Sequence, residues 1–242
     1  LLPLTTRHRP PDHPDPGVPV PDPASRDLDT VDPHPDVPVS DDPHPDDAEF
    51  GLGGTISKLL EIGKEVHVAI FSNCEKSTPK GFKIGSIVKE LYQSCAFLGI
   101  DEKNIHMMSF EVREFPAFRQ EILEELIVLR NKIKPNLVFI PCSSDIHQDH
   151  KTIHEEGLRA FKYSCLLGYE MPWNNFAFKS YVFVNLEKRH IEKKLGALNF
   201  YKTQEHRSYS NTEFVISLSK LRGLQIQKEN AESFELIRYF HL

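Results

Sequence analysis

The sequence predicts an α/β fold, a Rossmann-like three-layer α/β/α sandwich around a mostly parallel sheet. Three observations predict it. Short apolar runs of strand length alternate with longer segments whose apolar residues recur at helical spacing. The run 137–141 is apolar on both faces, the pattern of a strand covered on both sides in a parallel sheet. Gly63, Gly99 and Pro135 fall where helices would stop.

Taken in order, Leu52, Ile56, Leu59 and Leu60 share one helix face that ends at Gly63. Val66, Val68, Ile70 and Phe71 make a short buried strand. Ile84, Ile87, Val88, Leu91, Tyr92, Cys95 and Leu98 trace a second helix, closed by Gly99. Residues 105–110 read as a strand. Phe118, Ile122, Leu126, Leu129 and Ile133 mark a long helix that ends before Pro135. After strand 137–141 come a helix at 149–161, a strand at 181–186, and helices at 187–200 and 229–240. Strands alternating with helices place the latter on both sheet faces, with sites outside the carboxyl ends of the strands.

The 242 residues carry 29 Lys and Arg against 35 Asp and Glu, a net charge of −6. Such mild acidity excludes a general nucleic-acid binder, which needs a basic stripe. No apolar run reaches the length of a membrane span. Residues 1–43 hold twelve of the 18 Pro, with nine Asp and three Arg, so all the net charge lies there. This composition predicts a disordered, extended segment over 1–42 and a folded domain over 43–242. The start lacks Met and the apolar core of a signal peptide, so the chain is expected to be a fragment of a cytoplasmic protein. Cys74, Cys95, Cys142 and Cys165 are widely spaced and read as buried, reduced thiols.

Two clusters carry chemistry. The first is His44-Pro45-Asp46-Asp47-Ala48-Glu49, just before a helix. The second is His147-Gln148-Asp149-His150, six residues beyond the strand ending at Pro141. Both lie where strands hand over to helices, hence at the same sheet edge. His44 and Asp47 are three apart, so a tight turn aims both at one point. His150 shares a helix face with Ile153, Gly157 and Phe161, which turns it toward the sheet. His44, Asp47 and His150 thus form a two-His, one-carboxylate set. It suits zinc with an open position, or ferrous iron. Asp46, beside ligand Asp47, is placed to take a proton from a metal-activated water. His147 is placed to stabilise an oxyanion or protonate a leaving amine, with Asp149 orienting its ring. Either cluster alone is a weak signal, since Asp-Asp turns and helix-start histidines are commonly structural. His67, His106, His154, His190 and His206 read as non-catalytic.

In this order the two motifs resemble the PIG-L / LmbE-like N-acetylglucosaminyl deacetylase family. That family carries His-Pro-Asp-Asp, a Gly-rich helix start and a later His-x-Asp-His. Residues 43–58 and 137–150 carry the likeness, which runs from about residue 43 to 240. The resemblance implies a zinc-dependent hydrolase that removes the acetyl group from an N-acetyl amino sugar of the GlcNAc-conjugate type. It implies metal ligands His44, Asp47 and His150, with Zn2+ usual and Fe2+ an alternative. It implies Asp46 as general base and His147 as electrostatic or acid partner tuned by Asp149. The expected partners are the sugar substrate and, in a homo-oligomer, further copies of the chain.

Two departures from the family pattern stand out. Relatives have an apolar strand directly before His-Pro-Asp-Asp, where this chain has Asp36-Val37-Pro38-Val39-Ser40-Asp41-Asp42. Pro38 suits no central ladder, and Asp41 and Asp42 would be buried beside the core. Residues 1–42 are therefore expected to be an aberrant start, from a frame error or fusion. Relatives also carry a substrate-binding Arg near the second helix, which has none here. Arg113, just after a strand, is the expected substitute, and Arg119 reads as a solvated charge. Trp173-Asn174 is a candidate sugar-stacking wall. Two other classes compete: a non-haem iron enzyme, and an inactive carbohydrate-binding relative with a damaged site.

Overall fold

The structure, a computed structural model, describes residues 37–240. Its strands are β1 (Pro38–Asp42), β2 (His67–Ile70), β3 (Ile105–Met107), β4 (Leu137–Pro141), β5 (Cys165–Tyr169), β6 (Val182–Leu186) and β7 (Asn230–Arg238). Its longer helices are α1 (Asp47–Glu61), α2 (Ser86–Leu98), α3 (Arg119–Ile133), α4 (Gln148–Ala160), α5 (Lys188–Leu198) and α6 (Thr212–Leu224). The strands form one sheet in the order β3-β2-β1-β4-β5-β7-β6. The first five in that order are parallel, and β7 runs antiparallel between β5 and β6. The α/β class and mostly parallel sheet expected from the sequence are therefore those of the molecule.

Each sheet face carries its own core. Leu52, Ile56, Leu91, Tyr169 and Phe234 belong to one, and Val39, Ile122, Leu126, Ile153 and Phe161 to the other. The apolar β4 run explains itself here. Val138 and Ile140 enter one core and Phe139 the other, as the period of two requires. Close packing of α1 on the sheet rests on Gly54, where an added Cβ would lie 2.6 Å from Leu186 Cδ1.

The expected domain boundary moves. Pro38–Asp42, assigned from composition to an aberrant segment, is β1, hydrogen-bonded between β2 and β4 near the middle of the sheet. Pro38 is tolerated because it is the strand's first residue, where a missing N–H costs least. Asp41 and Asp42 are fully buried, as their position demands. Asp42 accepts a hydrogen bond from Ser40 Oγ (2.8 Å), whereas among the described residues neither carboxyl oxygen of Asp41 has a partner. Burial raises both carboxyl pKa values well above the ordinary range. The rest of the expected N-terminal segment, residues 1–36, lies outside the described residues.

The helix expected at 229–240 is instead the strand β7. Its glutamates favour a helix locally, but tertiary partners claim them. Glu232 accepts from the N–H groups of Gly54 (3.0 Å) and Thr55 (2.7 Å) and pairs with Lys194 Nζ (2.7 Å). Glu235 accepts from Ser143 N–H (2.7 Å) and Oγ (2.6 Å). Strand β5 and helix α6 had no expectation from the sequence. The strand expected over 105–110 stops at Met107.

His67 and His106, read from the sequence as non-catalytic, meet each other. Their rings stack at 5.3 Å between centroids, with Nδ1 of His67 3.0 Å from Nε2 of His106. Burial, then the neighbouring imidazole, pushes His106 down to about 4, and burial lowers His67 as well. Folded pKa values below the unfolded value near 6.5 mean that the unfolded chain binds more protons between these limits. The pair's contribution is therefore complete above pH 6.5 and lost as pH falls toward 4. Screening at this partly exposed edge limits it to about 1 kcal/mol. His106→Gln is expected to flatten that part of the stability profile, read from urea midpoints at pH 7 and 4.5.

Candidate metal centre

The site forms where the sheet's connections diverge. From β1 the chain crosses toward β2 and β3, and from β4 toward β5, which leaves a crevice outside their carboxyl ends. The turn after β1 delivers His44, Asp46 and Asp47. Asp46 is the N-cap of α1 and Asp47 its first residue. The loop after β4 delivers Asp145, His147, Asp149 and His150, with His147 the N-cap of α4.

Three of these side chains converge on one point. His44 Nδ1 lies 3.2 Å from Asp47 Oδ2 and 3.2 Å from His150 Nε2, and His150 Nε2 lies 3.4 Å from the same Asp47 oxygen. A tetrahedral cation with bonds of about 2.0–2.1 Å sets its donors about 3.3 Å apart. The triangle therefore fits such an ion. Two imidazole nitrogens facing each other beside a carboxylate are also poorly satisfied by protons alone. One nitrogen from His147 lies within 4.8 Å of nitrogens from His44 and His150.

Each of the two facing rings has its own carboxylate. His150 Nδ1 meets Asp145 Oδ2 at 2.8 Å, and Asp145 Oδ1 accepts from His147 N–H at 2.9 Å. His44 Nε2 meets Asp149 Oδ2 at 3.2 Å. Asp149 thus faces two histidines, and its charge also acts to raise the pKa of His147. Its carboxylate orients His44, and its backbone N–H reaches His147, donating to Nδ1 at 3.2 Å. Asp149 Oδ2 also accepts from Arg113 N–H at 2.6 Å, and Arg113 adopts φ 71°, a left-handed conformation unusual for a residue with a side chain. Carboxylates on the outer nitrogens fix the tautomers so that the inner nitrogens face the common point.

The electrostatics follow from this crowding. Burial opposes charge on His44, but Asp47 and Asp149 outweigh it and hold its pKa well above the ordinary value. Burial likewise opposes charge on Asp47, and His150 and His44 outweigh it, lowering the carboxyl. His147 is pushed down to about 4, first by burial and then by the neighbouring imidazoles. It is therefore a neutral donor at pH 7. Asp46 is pushed up to about 6, first by burial and then by Asp47, and its Oδ2 is buried without a partner among the described residues. An unpartnered carboxylate oxygen beside a three-donor site is ready to accept a proton.

The crevice opens into a cavity of about 290 Å³. Asp46, His147, Arg113, Trp173 and Asn174, all singled out in the sequence, line it. So do Gln204, Arg207 and Tyr209, which no motif marked. Asp145 was also missed, although a second acidic residue just ahead of His-x-Asp-His was a usable signal. His154, by contrast, is tied to Pro141 carbonyl oxygen at 2.8 Å, and His190 pairs with Glu61. Among the described residues no helix is long and apolar enough to cross a membrane, and all four cysteines are unbridged.

Comparison with known proteins bears on this arrangement. Diacetylchitobiose deacetylase of Thermococcus kodakarensis is 27% identical over 192 residues, covering 76% of this chain. The chain spans 66% of that relative's length. The N,N'-diacetylchitobiose deacetylase structure from Pyrococcus horikoshii matches with a TM-score of 0.70 and 22% identity, covering 84% of each chain. The 4-carboxy-2-hydroxymuconate hydratase of Pseudomonas putida KT2440 matches with a TM-score of 0.68 and 15% identity, covering 85% of this chain and 98% of that one. Likeness at these structural identities shows the fold alone. The family model for PIG-L, GlcNAc-PI de-N-acetylase, matches residues 42–161, a span that runs from the end of β1 past α4 and contains both motifs, and over that span the chain is similar to the PIG-L family.

Proposed function

We propose that the chain is a metal-dependent hydrolase that removes the acetyl group from an N-acetyl amino sugar of the GlcNAc-conjugate type. The observation that carries this reading is the 3.2–3.4 Å triangle of His44, Asp47 and His150 with an unpartnered Asp46 oxygen beside it. The family description and the Thermococcus relative's name supply the substrate class. His44, Asp47 and His150 would hold a divalent ion, with zinc first and ferrous iron second. Bound there, the ion would polarise the amide carbonyl and lower the pKa of a water. Asp46 would accept the proton that the water loses and return it to the departing amine. Neutral His147 donates a hydrogen bond to the oxygen that gains charge. Asp145 and Asp149 keep the two ligand rings turned inward, and Arg113 contacts the sugar. The unbridged cysteines favour a reducing compartment, and we assign the reaction to the cytoplasm.

Protein purified without added metal is expected to carry about one zinc or iron per chain by mass spectrometry, the content of a single three-donor site. It should release acetate from N-acetylglucosamine conjugates. Asp47→Ala should abolish both. An absence of metal after reconstitution, together with no acetate release, would remove the hydrolase reading.

A further inference from the structure

Beyond the residues already given roles, the cavity wall holds a guanidinium with an extended support. Arg207 Nε donates to Gln204 Oε1 at 2.7 Å, and its guanidinium lies over the Tyr209 ring, 5.7 Å from the centroid. Buried Gln204 follows Thr203, whose N–H (3.2 Å) and hydroxyl (2.5 Å) both donate to buried Glu90 on α2. Tyr209 stacks on Trp173 at 3.9 Å with 9° between the planes, and Trp173 meets Phe50 of α1 edge-on. Contacts from α1 and α2 thus converge to hold one cation at the cavity wall. Among the described residues neither Arg207 nor Arg113 forms an ion pair, unlike Arg119, Arg159, Arg189 and Arg222.

The charges of the lining decide what this cation is for. Among the described residues its only acidic members are Asp46 and Asp47, and its only basic ones, histidines aside, are Arg113 and Arg207. A divalent ion would balance these two carboxylates, and with Asp145 and Asp149 turned to the His150 and His44 rings the lining offers the arginines no further carboxylate. A planar guanidinium with free N–H groups matches a phosphate or carboxylate through paired hydrogen bonds. We infer that Arg207, with Arg113, makes the site selective for N-acetyl sugars that carry an anionic substituent. Arg207 is a binding residue in this account, and Gln204 and Tyr209 position it. The inference rests on the hydrolase reading for its substrate class, but the anion site is separable from it.

The test compares N-acetylglucosamine 1-phosphate with N-acetylglucosamine as substrates. The kcat/KM ratio is expected to favour the phosphate by about tenfold or more, the size of one charge-assisted hydrogen bond. Arg207→Ala should collapse that ratio, and Arg207→Lys should keep part of it. A second readout needs no turnover. Trp173 is the chain's single tryptophan, so its fluorescence reports on the stack that holds Arg207. Glucosamine 1-phosphate should perturb it, more tightly than inorganic phosphate, and Arg207→Ala should weaken that binding about tenfold. Acetate release with no preference for the charged sugar overturns the inference and leaves the hydrolase standing. Arg207-dependent binding of the sugar phosphate without acetate release from any sugar overturns the hydrolase and keeps the anion site. Inorganic phosphate binding as tightly as the sugar phosphate overturns the inference as well.

Discussion

Asp41→Val is expected to stabilise the protein by about 3 kcal/mol at neutral pH. Asp41 is fully buried near the centre of the sheet, and both its carboxyl oxygens lack partners among the described residues. It shares a sheet face with Val39, and its register partner Ala69 belongs to the same apolar core. Valine is of comparable size, suits a strand, and removes a desolvated polar group that costs about 1–3 kcal/mol. It also adds apolar burial worth about 1.5–3 kcal/mol. The gain corresponds to roughly 6–12 °C in Tm for a domain of this size. Burial raises the folded pKa of Asp41 above its unfolded value near 4. The wild type therefore loses stability as pH rises from about 4 toward the folded pKa. The advantage of valine is smallest at or below pH 4 and grows above it. Urea denaturation of both proteins at pH 4 and 7 measures this. Asp41→Asn, which keeps buried polar atoms, should gain little. Equal stability of the Asp41→Val variant and the wild type at pH 7 would mean that the carboxylate has a partner after all.

Asp46→Asn is expected to lower kcat by about 10²–10⁴-fold, the usual contribution of a positioned general base. Metal content should be unchanged, because the substitution leaves His44, Asp47 and His150 in place. An amide is nearly isosteric with the carboxylate at the N-cap of α1, where the Asp46 side chain makes no capping hydrogen bond, so the helix should survive the change. Paired measurements of acetate release and bound metal separate the two roles. Loss of metal together with activity would make Asp46 a structural support of the ligand turn. Near-normal turnover would take it out of the chemistry.

Much of this site is legible in the sequence because its donors are local. His44 and Asp47 share one turn, and His147, Asp149 and His150 share another. Both turns follow strand ends that the sheet brings together. Legibility fails where the deciding partner is remote. Asp149 looks like the partner of its neighbour His147, yet its carboxylate reaches His44 across the crevice. Arg207 and Gln204 follow no motif, and their meaning comes from α2 and Trp173. The same holds for the fold. Pro38–Asp42 looks unfit for a strand by composition, and pairing on both sides makes it one. The glutamates of 230–238 suggest a helix until the backbone N–H groups of α1 and Ser143 appear beside them.

The position of β7 has a consequence for the order of assembly. This strand is the last element in the described chain, yet it lies inside the sheet, with β5 on one side and β6 on the other. During synthesis the hydrogen-bonding edges of β5 and β6 stay unmatched until residues 230–238 have left the ribosome. Such open edges invite pairing with other chains. The nascent protein is therefore most exposed to aggregation when all of its candidate site residues have already been made, and a message truncated just before residue 230 should yield insoluble product.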